Sequence, residues 1–167
     1  QMCIRDSTCV ILVQAVGGIM MYIADYEQKF SRGEDASTYL IKNVYANSYI
    51  IGTKDYELSP IAGRLRRKIY YIESQALGSY TRYDQKRHSA IDSNDITLAL
   101  ATAPNGEPFI FITSKQIKLL TCFNNNVEKH LPASEFKFQN YLFTPLVYFP
   151  AGIEPYEEYW IFKVTRL

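Results

Sequence analysis

An uncharged apolar run near the start of the chain most constrains what it can fold into. Residues 8–24 carry no charged side chain, and the first charge after them is Asp25. A helix of this length would be about 25 Å long, slightly less than the roughly 30 Å hydrocarbon core of a bilayer. The run therefore predicts a transmembrane helix that is truncated at its N-terminal end.

Details of the run favour a membrane helix over the alternatives. Gly17 and Gly18 are tolerated better in membrane helices than in soluble ones, and Tyr22 and Tyr26 stand where interfacial aromatic residues occur. A signal peptide would need a basic start and a small-x-small cleavage site, which the run lacks. A helix buried in a soluble core is the other alternative.

The seven residues that precede the run are explained most simply as sequence that does not come from the native protein. Residues 1–7 read Gln-Met-Cys-Ile-Arg-Asp-Ser, and their back-translation resembles the end of a transposase-type sequencing adaptor. We therefore expect native protein only from Thr8, with an unknown length missing upstream. The predicted organisation is adaptor sequence at 1–7, a truncated transmembrane helix at 8–24 and one α/β domain at 25–167.

Charges next to the run predict on which side of the membrane the domain lies. Between residues 25 and 35, four acidic residues outnumber two basic ones. Cytoplasmic flanks of membrane helices carry an excess of Lys and Arg, which is absent here. We expect the protein in the inner (plasma) membrane, with the domain facing the periplasm or the cell exterior.

Composition and motifs exclude several classes of function. The 18 basic and 17 acidic residues nearly balance, so no nucleic-acid partner is predicted. The sequence has no Gly-x-Gly-x-x-Gly turn, no Gly-x-x-x-x-Gly-Lys-Ser/Thr phosphate loop and no Gly-x-Ser-x-Gly elbow. His88 and His130 lack Cys, His or carboxylate neighbours at metal-ligand spacing. We predict no cofactor, no metal and no catalytic residue in this chain.

The remaining sequence alternates between helix and strand patterns. Cap residues, apolar periodicity and β-branched runs predict helices at about 32–43, 60–67, 93–103 and 114–120, a loop at 124–134, and strands at about 48–53, 68–73, 79–84, 108–113, 141–149 and 158–166. Crossover helices between strands imply parallel pairing. The predicted fold is α/β in three layers, with a mainly parallel sheet and an antiparallel edge pair at the C-terminus.

Polar residues at the ends of the predicted strands form the candidate site. Asp55 with Tyr56, Glu73 with Ser74, and Asp84 with Arg87 each follow a strand. Ligands of open parallel sheets bind outside the carboxyl ends of the strands, so these are candidate ligand or partner contacts. Ordinary loop polarity explains the same residues equally well.

A basic segment is the second group of residues that could bind a ligand. Residues 64–68 read Arg-Leu-Arg-Arg-Lys, which could meet phosphates of nucleic acid or of lipid headgroups. The segment also lies at the end of a predicted helix, where cations oppose the helix dipole favourably. The second explanation needs no ligand.

The order of segments resembles a known family. The segments are an apolar span, then 30–40, 49–55, 59–65, 67–71 and 78–80, with a closing strand at 149–164. In that order they are similar to the C-terminal extramembrane domain of polytopic bacterial membrane glycosyltransferases, the lipid-linked-sugar enzymes related to protein mannosyltransferases. The similarity covers most of 25–167 and rests on spacing and residue class.

This resemblance implies a function for the parent protein rather than for the domain alone. In the family, the catalytic aspartate lies in an early extracytoplasmic loop, upstream of this sequence, so no catalytic residue is carried over. The implied partners are the bilayer through residues 8–24, the upstream transmembrane domain and a lipid-linked sugar. The alternative function is a membrane-anchored or soluble α/β ligand-binding module without enzymatic activity.

Overall fold

The computed structural model describes residues 2–27, 31–85, 87–88, 91–114, 135–152 and 157–167. Its helices are α1 (Met2–Glu27), α2 (Gly33–Lys42), α3 (Asp55–Leu65) and α4 (Ser93–Ala101), with a short 3-10 helix at Tyr45–Asn47. Its strands are β1 (Ile50–Gly52), β2 (Ile69–Tyr71), β3 (Ala76–Gly78), β4 (Phe109–Ser114), β5 (Phe136–Phe138), β6 (Tyr141–Phe149) and β7 (Tyr159–Arg166). Ser114, predicted to open a helix at 114–120, is instead the last residue of β4. Residues 115–120, the loop at 124–134 and His130 lie outside the described residues.

All the described strands join one sheet, in the order β3-β2-β1-β4-β7-β6-β5. The α/β class is confirmed, but the sheet is more mixed than predicted. Among the described strands, β1 pairs in parallel with β2 and β4, and the other four pairings are antiparallel. Short connections explain the difference, because the turns before β3 and β6 are too short to hold a crossover helix. The antiparallel β6–β7 pair is confirmed, although β5 rather than either of them forms the edge.

The sheet is covered by helices on both faces, which gives the predicted three layers. Successive residues of a strand point to opposite faces, so Ile50 and Ile51 belong to different apolar clusters. One cluster contains side chains of α2 and α3 on one face, and the other contains side chains of α4 on the opposite face. All six residues of β4 are buried, as its continuous apolar run predicts.

Helix α3 begins earlier than predicted and contains Pro60 in its interior. Proline lacks the N–H that would bond the carbonyl of Tyr56 four residues before it. The hydroxyl of Ser59 donates to that carbonyl instead, at 3.0 Å, which satisfies the orphaned acceptor. The helix therefore starts at Asp55, immediately beyond β1, and this start sets the position of the candidate site.

A predicted strand at 79–84 is absent, and the short β3 at Ala76–Gly78 takes its place beside β2. A four-residue turn joins β2 to β3, so the hairpin closes before the alternating residues of 79–84 are reached. These residues form irregular backbone instead. The predicted strand was wrong because alternation alone does not show where a hairpin closes.

Helix α1 stands apart from the α/β domain. Its segment Ser7–Ala24 has a mean hydropathy of 1.8 and is long and apolar enough to cross a membrane, by length and composition. None of that segment is buried against the rest of the protein. Val13, for example, is 73% exposed. Among the described residues, this helix is therefore not part of the core of the α/β domain.

Candidate functional site

The candidate site lies where β1 and β2 end side by side. Strand β1 ends at Gly52, and its chain turns through Lys54 into α3 at Asp55. Strand β2 ends at Tyr71, and Glu73 follows in the turn. The backbone N–H of His88 donates to the carbonyl of Glu73 at 2.8 Å, which holds the segment around Arg87 against these strand ends. We call Asp55, Glu73 and Arg87 the strand-end cluster.

Asp55 and Arg87 form a bidentate ion pair at the centre of this cluster. The Nε of Arg87 donates to one carboxylate oxygen of Asp55 at 3.0 Å, and a terminal nitrogen donates to the other at 2.8 Å. The side chain of Asp55 is fully buried, and that of Arg87 is 17% exposed. The hydrogen bonds to Asp55 raise the pKa of Arg87. This fork-to-fork geometry is the strongest form of such a pair.

Glu73 is buried beside this pair but is held differently. One of its carboxylate oxygens accepts the backbone N–H of Lys54 at 2.5 Å. Its other oxygen is buried and has no hydrogen-bond partner in the described part of the chain. Burial raises the pKa of Glu73, and the hydrogen bond from Lys54 opposes part of that effect. Glu73 therefore holds its proton to higher pH than an ordinary glutamate does.

Replacing Glu73 by glutamine should change how stability depends on pH. Below pH 4.5, the ordinary glutamate pKa, Glu73 is protonated in both the folded and the unfolded chain. As the pH rises above that value, the unfolded chain ionises first, so the parent protein loses stability until the pH passes the folded pKa. Glu73→Gln cannot ionise. We expect it to become more stable relative to the parent as the pH rises from acid to neutral.

Urea unfolding of the parent and the variant at a series of pH values measures this difference. Glu107→Gln makes the same chemical change at an exposed position, and its difference from the parent should stay flat. A constant difference between Glu73→Gln and the parent at every pH would contradict the expected burial effect.

The turn between β1 and α3 contributes three features that the sequence does not reveal. Lys54 adopts the left-handed conformation, with φ of 63°, which is strained for a residue with a side chain and aims its N–H at Glu73. The hydroxyl of Thr53 donates to that of Thr113 at 2.9 Å, which ties the ends of β1 and β4 together. Gly52 leaves room for Leu58, whose Cδ1 would lie 2.1 Å from a Cβ at that position.

Two tyrosines border the strand-end cluster. Burial, followed by the charges of Asp55 and Glu73, raises the pKa of Tyr71 to about 12. Burial, followed by a hydrogen bond to the buried Glu57, also raises the pKa of Tyr56. Tyr71 and Glu57 were not predicted as site residues, because Tyr71 stands in an apolar strand pattern and Glu57 precedes the predicted helix at 60–67. Both hydroxyls keep their protons at neutral pH.

The structure brings some of the predicted contacts together and separates others. Tyr56 adjoins the cluster, since its N–H donates to Asp55 at 2.9 Å, although its side chain is 45% exposed. The side chain of Asp84 is exposed, and its backbone carbonyl accepts the N–H of Arg87 at 3.2 Å. Ser74 lies beside a separate small cavity at the β3 edge of the sheet. Whether any of them contacts a ligand stays a prediction.

The basic segment 64–68 is divided among several contacts. Arg64 pairs with Glu34 of α2 at 3.0 Å, and Arg67 donates to the backbone carbonyl of Ala46. Arg66 takes the left-handed conformation that ends α3. Lys68 lines the cavity beside Ser74. The segment therefore does not form one continuous basic surface.

In the strand-end cluster, Asp55 and Arg87 bind each other and leave Asp55 no free oxygen for a ligand. Both oxygens of Asp55 are occupied by Arg87, and the described residues include no group of three or more His, Cys, Asp or Glu side chains that could hold a metal ion. His88 contacts the carboxylate of Asp95 at 3.1 Å. The arrangement locks the segment around Arg87 to the strand ends. It presents no carboxylate that a substrate could reach.

The fold and the site define an α/β domain with a mixed sheet, which follows an exposed apolar helix. No family model, no curated protein and no solved structure matches the chain. The proposal for its function therefore rests on the sequence resemblance and on the geometry described above.

Proposed function

We propose that this chain is the C-terminal extracytoplasmic domain of a membrane-embedded glycosyltransferase that uses a lipid-linked sugar donor. The domain itself supplies no catalytic residue. The observation that carries the proposal is the exposed apolar helix Ser7–Ala24, which directly precedes an α/β domain whose strand-end carboxylates are buried. The order of segments supports the family, as described for the sequence.

A membrane partner accounts for the exposed helix. An 18-residue segment of mean hydropathy 1.8 that stays exposed among the described residues would present a large apolar surface to water. In a bilayer, the same surface is in a favourable solvent, and the backbone is satisfied within the helix. The partners in this proposal are the bilayer, the transmembrane domain upstream in the same protein and the lipid-linked sugar. The near balance of charges supports the absence of a nucleic-acid partner.

The strand-end cluster supports a domain without catalysis of its own. A general acid or base must come within hydrogen-bond reach of the group it protonates or deprotonates. Asp55 is completely buried and Glu73 is 3% exposed, so neither meets a molecule that approaches the surface. In this proposal, their task is to fix the loops at the strand ends, and catalysis belongs to the upstream part of the enzyme.

Two measurements test this proposal. Alkaline phosphatase fused after Leu167 should be active, and a fluorescent protein fused at the same place should remain dark, because only the first folds outside the cytoplasm of bacteria. The genomic DNA upstream of the codon for Thr8 should encode further hydrophobic spans and an extracytoplasmic loop with an aspartate. A short complete gene that begins near Met2 would contradict the glycosyltransferase and would favour an anchored binding module.

A further inference from the structure

A small cavity opens at the β3 edge of the sheet, between the β2–β3 hairpin and the segment that follows it. Its volume is about 140 Å³, and its polar lining comes from Lys68, Ser74, Ser79 and Arg82. Sites for drug-sized ligands occupy roughly 300–1,000 Å³. This cavity is therefore of a size for one small polar group rather than for a whole cofactor.

Gly78 shapes the cavity because it has no side chain. A Cβ at this position would lie 3.1 and 3.2 Å from two ring carbons of Tyr71 and 3.4 Å from the backbone oxygen of Tyr80. The two distances to the ring of Tyr71 are tighter than ordinary van der Waals contacts, so a side chain at this position would force that ring to shift. The glycine lets the hairpin and the chain around Tyr80 approach closely while the space between them stays open.

The side chains of Lys68, Ser74, Ser79 and Arg82 at this cavity can each donate a hydrogen bond to an anion. Within the described part of the chain, neither Lys68 nor Arg82 has a carboxylate within 4.0 Å, and the hydroxyls of Ser74 and Ser79 make no hydrogen bond there. The guanidinium of Arg82 lies over the ring of Tyr80, 5.8 Å from its centroid, and this contact favours a position beside the cavity. No carboxylate lines the cavity among the described residues.

We propose that this cavity is a phosphate-binding site, formed by Lys68 and Arg82 with the hydroxyls of Ser74 and Ser79. Arginine matches two phosphate oxygens with its planar fork, and lysine supplies a compact charge. Hydroxyl groups donate to the remaining oxygens. Two buried acids, Asp55 and Glu73, act on Tyr71 in the lining of the cavity. Asp55 is neutralised by Arg87, whereas Glu73 opposes an anion when it is ionised. The site does not depend on the proposed glycosyltransferase function.

The same chemistry fits a free phosphate compound or the phosphate of a lipid in the bilayer that holds α1. The first test is a titration of the full chain in nanodiscs of phosphatidylcholine with inorganic phosphate, followed through the backbone amide signals of Ser74, Gly78 and Ser79. We expect saturable shifts at these positions. The double variant Lys68→Gln/Arg82→Gln should bind phosphate about tenfold more weakly. This loss of affinity is near the lower limit for charge-assisted hydrogen bonds, because both cations are exposed and screened by water.

A matched control separates the site from general electrostatics. Lys42→Gln/Lys137→Gln removes the same charge from two exposed lysines elsewhere on the domain, and its phosphate affinity should stay within about twofold of the parent. Equal weakening in both double variants would overturn the site, as would the lack of saturable shifts at the cavity.

A second set of nanodiscs distinguishes the two sources of phosphate. If lipid phosphate fills the cavity, nanodiscs that contain phosphatidic acid should shift the same amide signals before any phosphate is added and should lower the apparent affinity for inorganic phosphate. If the natural ligand is free, the affinity should be the same in both sets. Both results support the site. Shifts caused by phosphatidic acid that persist unchanged in Lys68→Gln/Arg82→Gln would overturn it.

Discussion

Replacing Asp55 by alanine is expected to lower the free energy of unfolding by about 3 kcal/mol. The substitution leaves the mostly buried guanidinium of Arg87 without its bidentate partner. An unpaired buried charge destabilises the fold by far more than the ion pair stabilises it. It also removes the acceptor for the N–H of Tyr56 at the start of α3. Urea unfolding of the full chain in detergent micelles measures the loss.

An exposed ion pair of similar length provides the control for this prediction. Arg64 and Glu34 are 3.0 Å apart but are 48% and 57% exposed, so Arg64→Ala should cost less than about 1 kcal/mol. In a double-mutant cycle, Asp55→Ala/Arg87→Ala should be less destabilised than the sum of the two single variants. Additive losses would show that the two side chains do not stabilise the fold as a pair.

An arginine in the middle of the apolar helix should prevent its stable insertion. Val16 lies near the centre of the segment Ser7–Ala24, where a charged side chain raises the insertion free energy by about 2.5–3.5 kcal/mol. That change corresponds to roughly a hundredfold in the insertion equilibrium. We expect Val16→Arg to move the protein from the carbonate-resistant membrane fraction into the soluble or aggregated fraction.

The depth of the charge is the control for this experiment. Thr8→Arg adds the same residue at the end of the segment, where the long side chain reaches the headgroup region. Its membrane fraction should equal that of the parent. If both variants remained fully in the membrane fraction, other parts of the protein would hold it there, and α1 would not be the anchor.

Helices and strands whose sequence pattern lies within a few adjacent residues were predictable from the sequence. The run Phe109–Ile112 is apolar throughout and rich in aromatic and β-branched residues, which favours a strand covered on both faces. Asp92 caps α4 through the N–H groups of Asn94 and Asp95, as a helix start at that residue predicts. In both cases, the information lies within a few adjacent residues.

Pairing partners and special backbone conformations were not predictable in this way. The partners of β4 are β1 and β7, which lie far apart in the sequence, so their direction depends on the whole topology. The left-handed turn at Lys54 has no glycine to announce it. Helix α3 starts before Pro60, and the hydroxyl of Ser59 satisfies the carbonyl that proline leaves without its N–H partner, a detail that a general rule for proline overlooks.

The candidate site was predictable in its location but not in its chemistry. The rule for strand ends correctly places Asp55 near Glu73, because β1 and β2 are parallel neighbours. That Arg87 returns to neutralise Asp55 depends on the path of an irregular segment with no regular pattern. The same path leaves Asp84 exposed and Ser74 at a different cavity. Sequence separation, rather than residue type, hides these contacts.

The two outer strands of the sheet, β3 and β5, are each only three residues long. A long outer strand offers a row of unpaired backbone groups onto which a second molecule can add its own strand. Membrane anchoring would confine many copies to two dimensions, where neighbours collide often and in similar orientations. Short outer strands on both sides would allow such copies to lie close together without joining into continuous sheets. They would thereby help to keep the protein dispersed at high surface density.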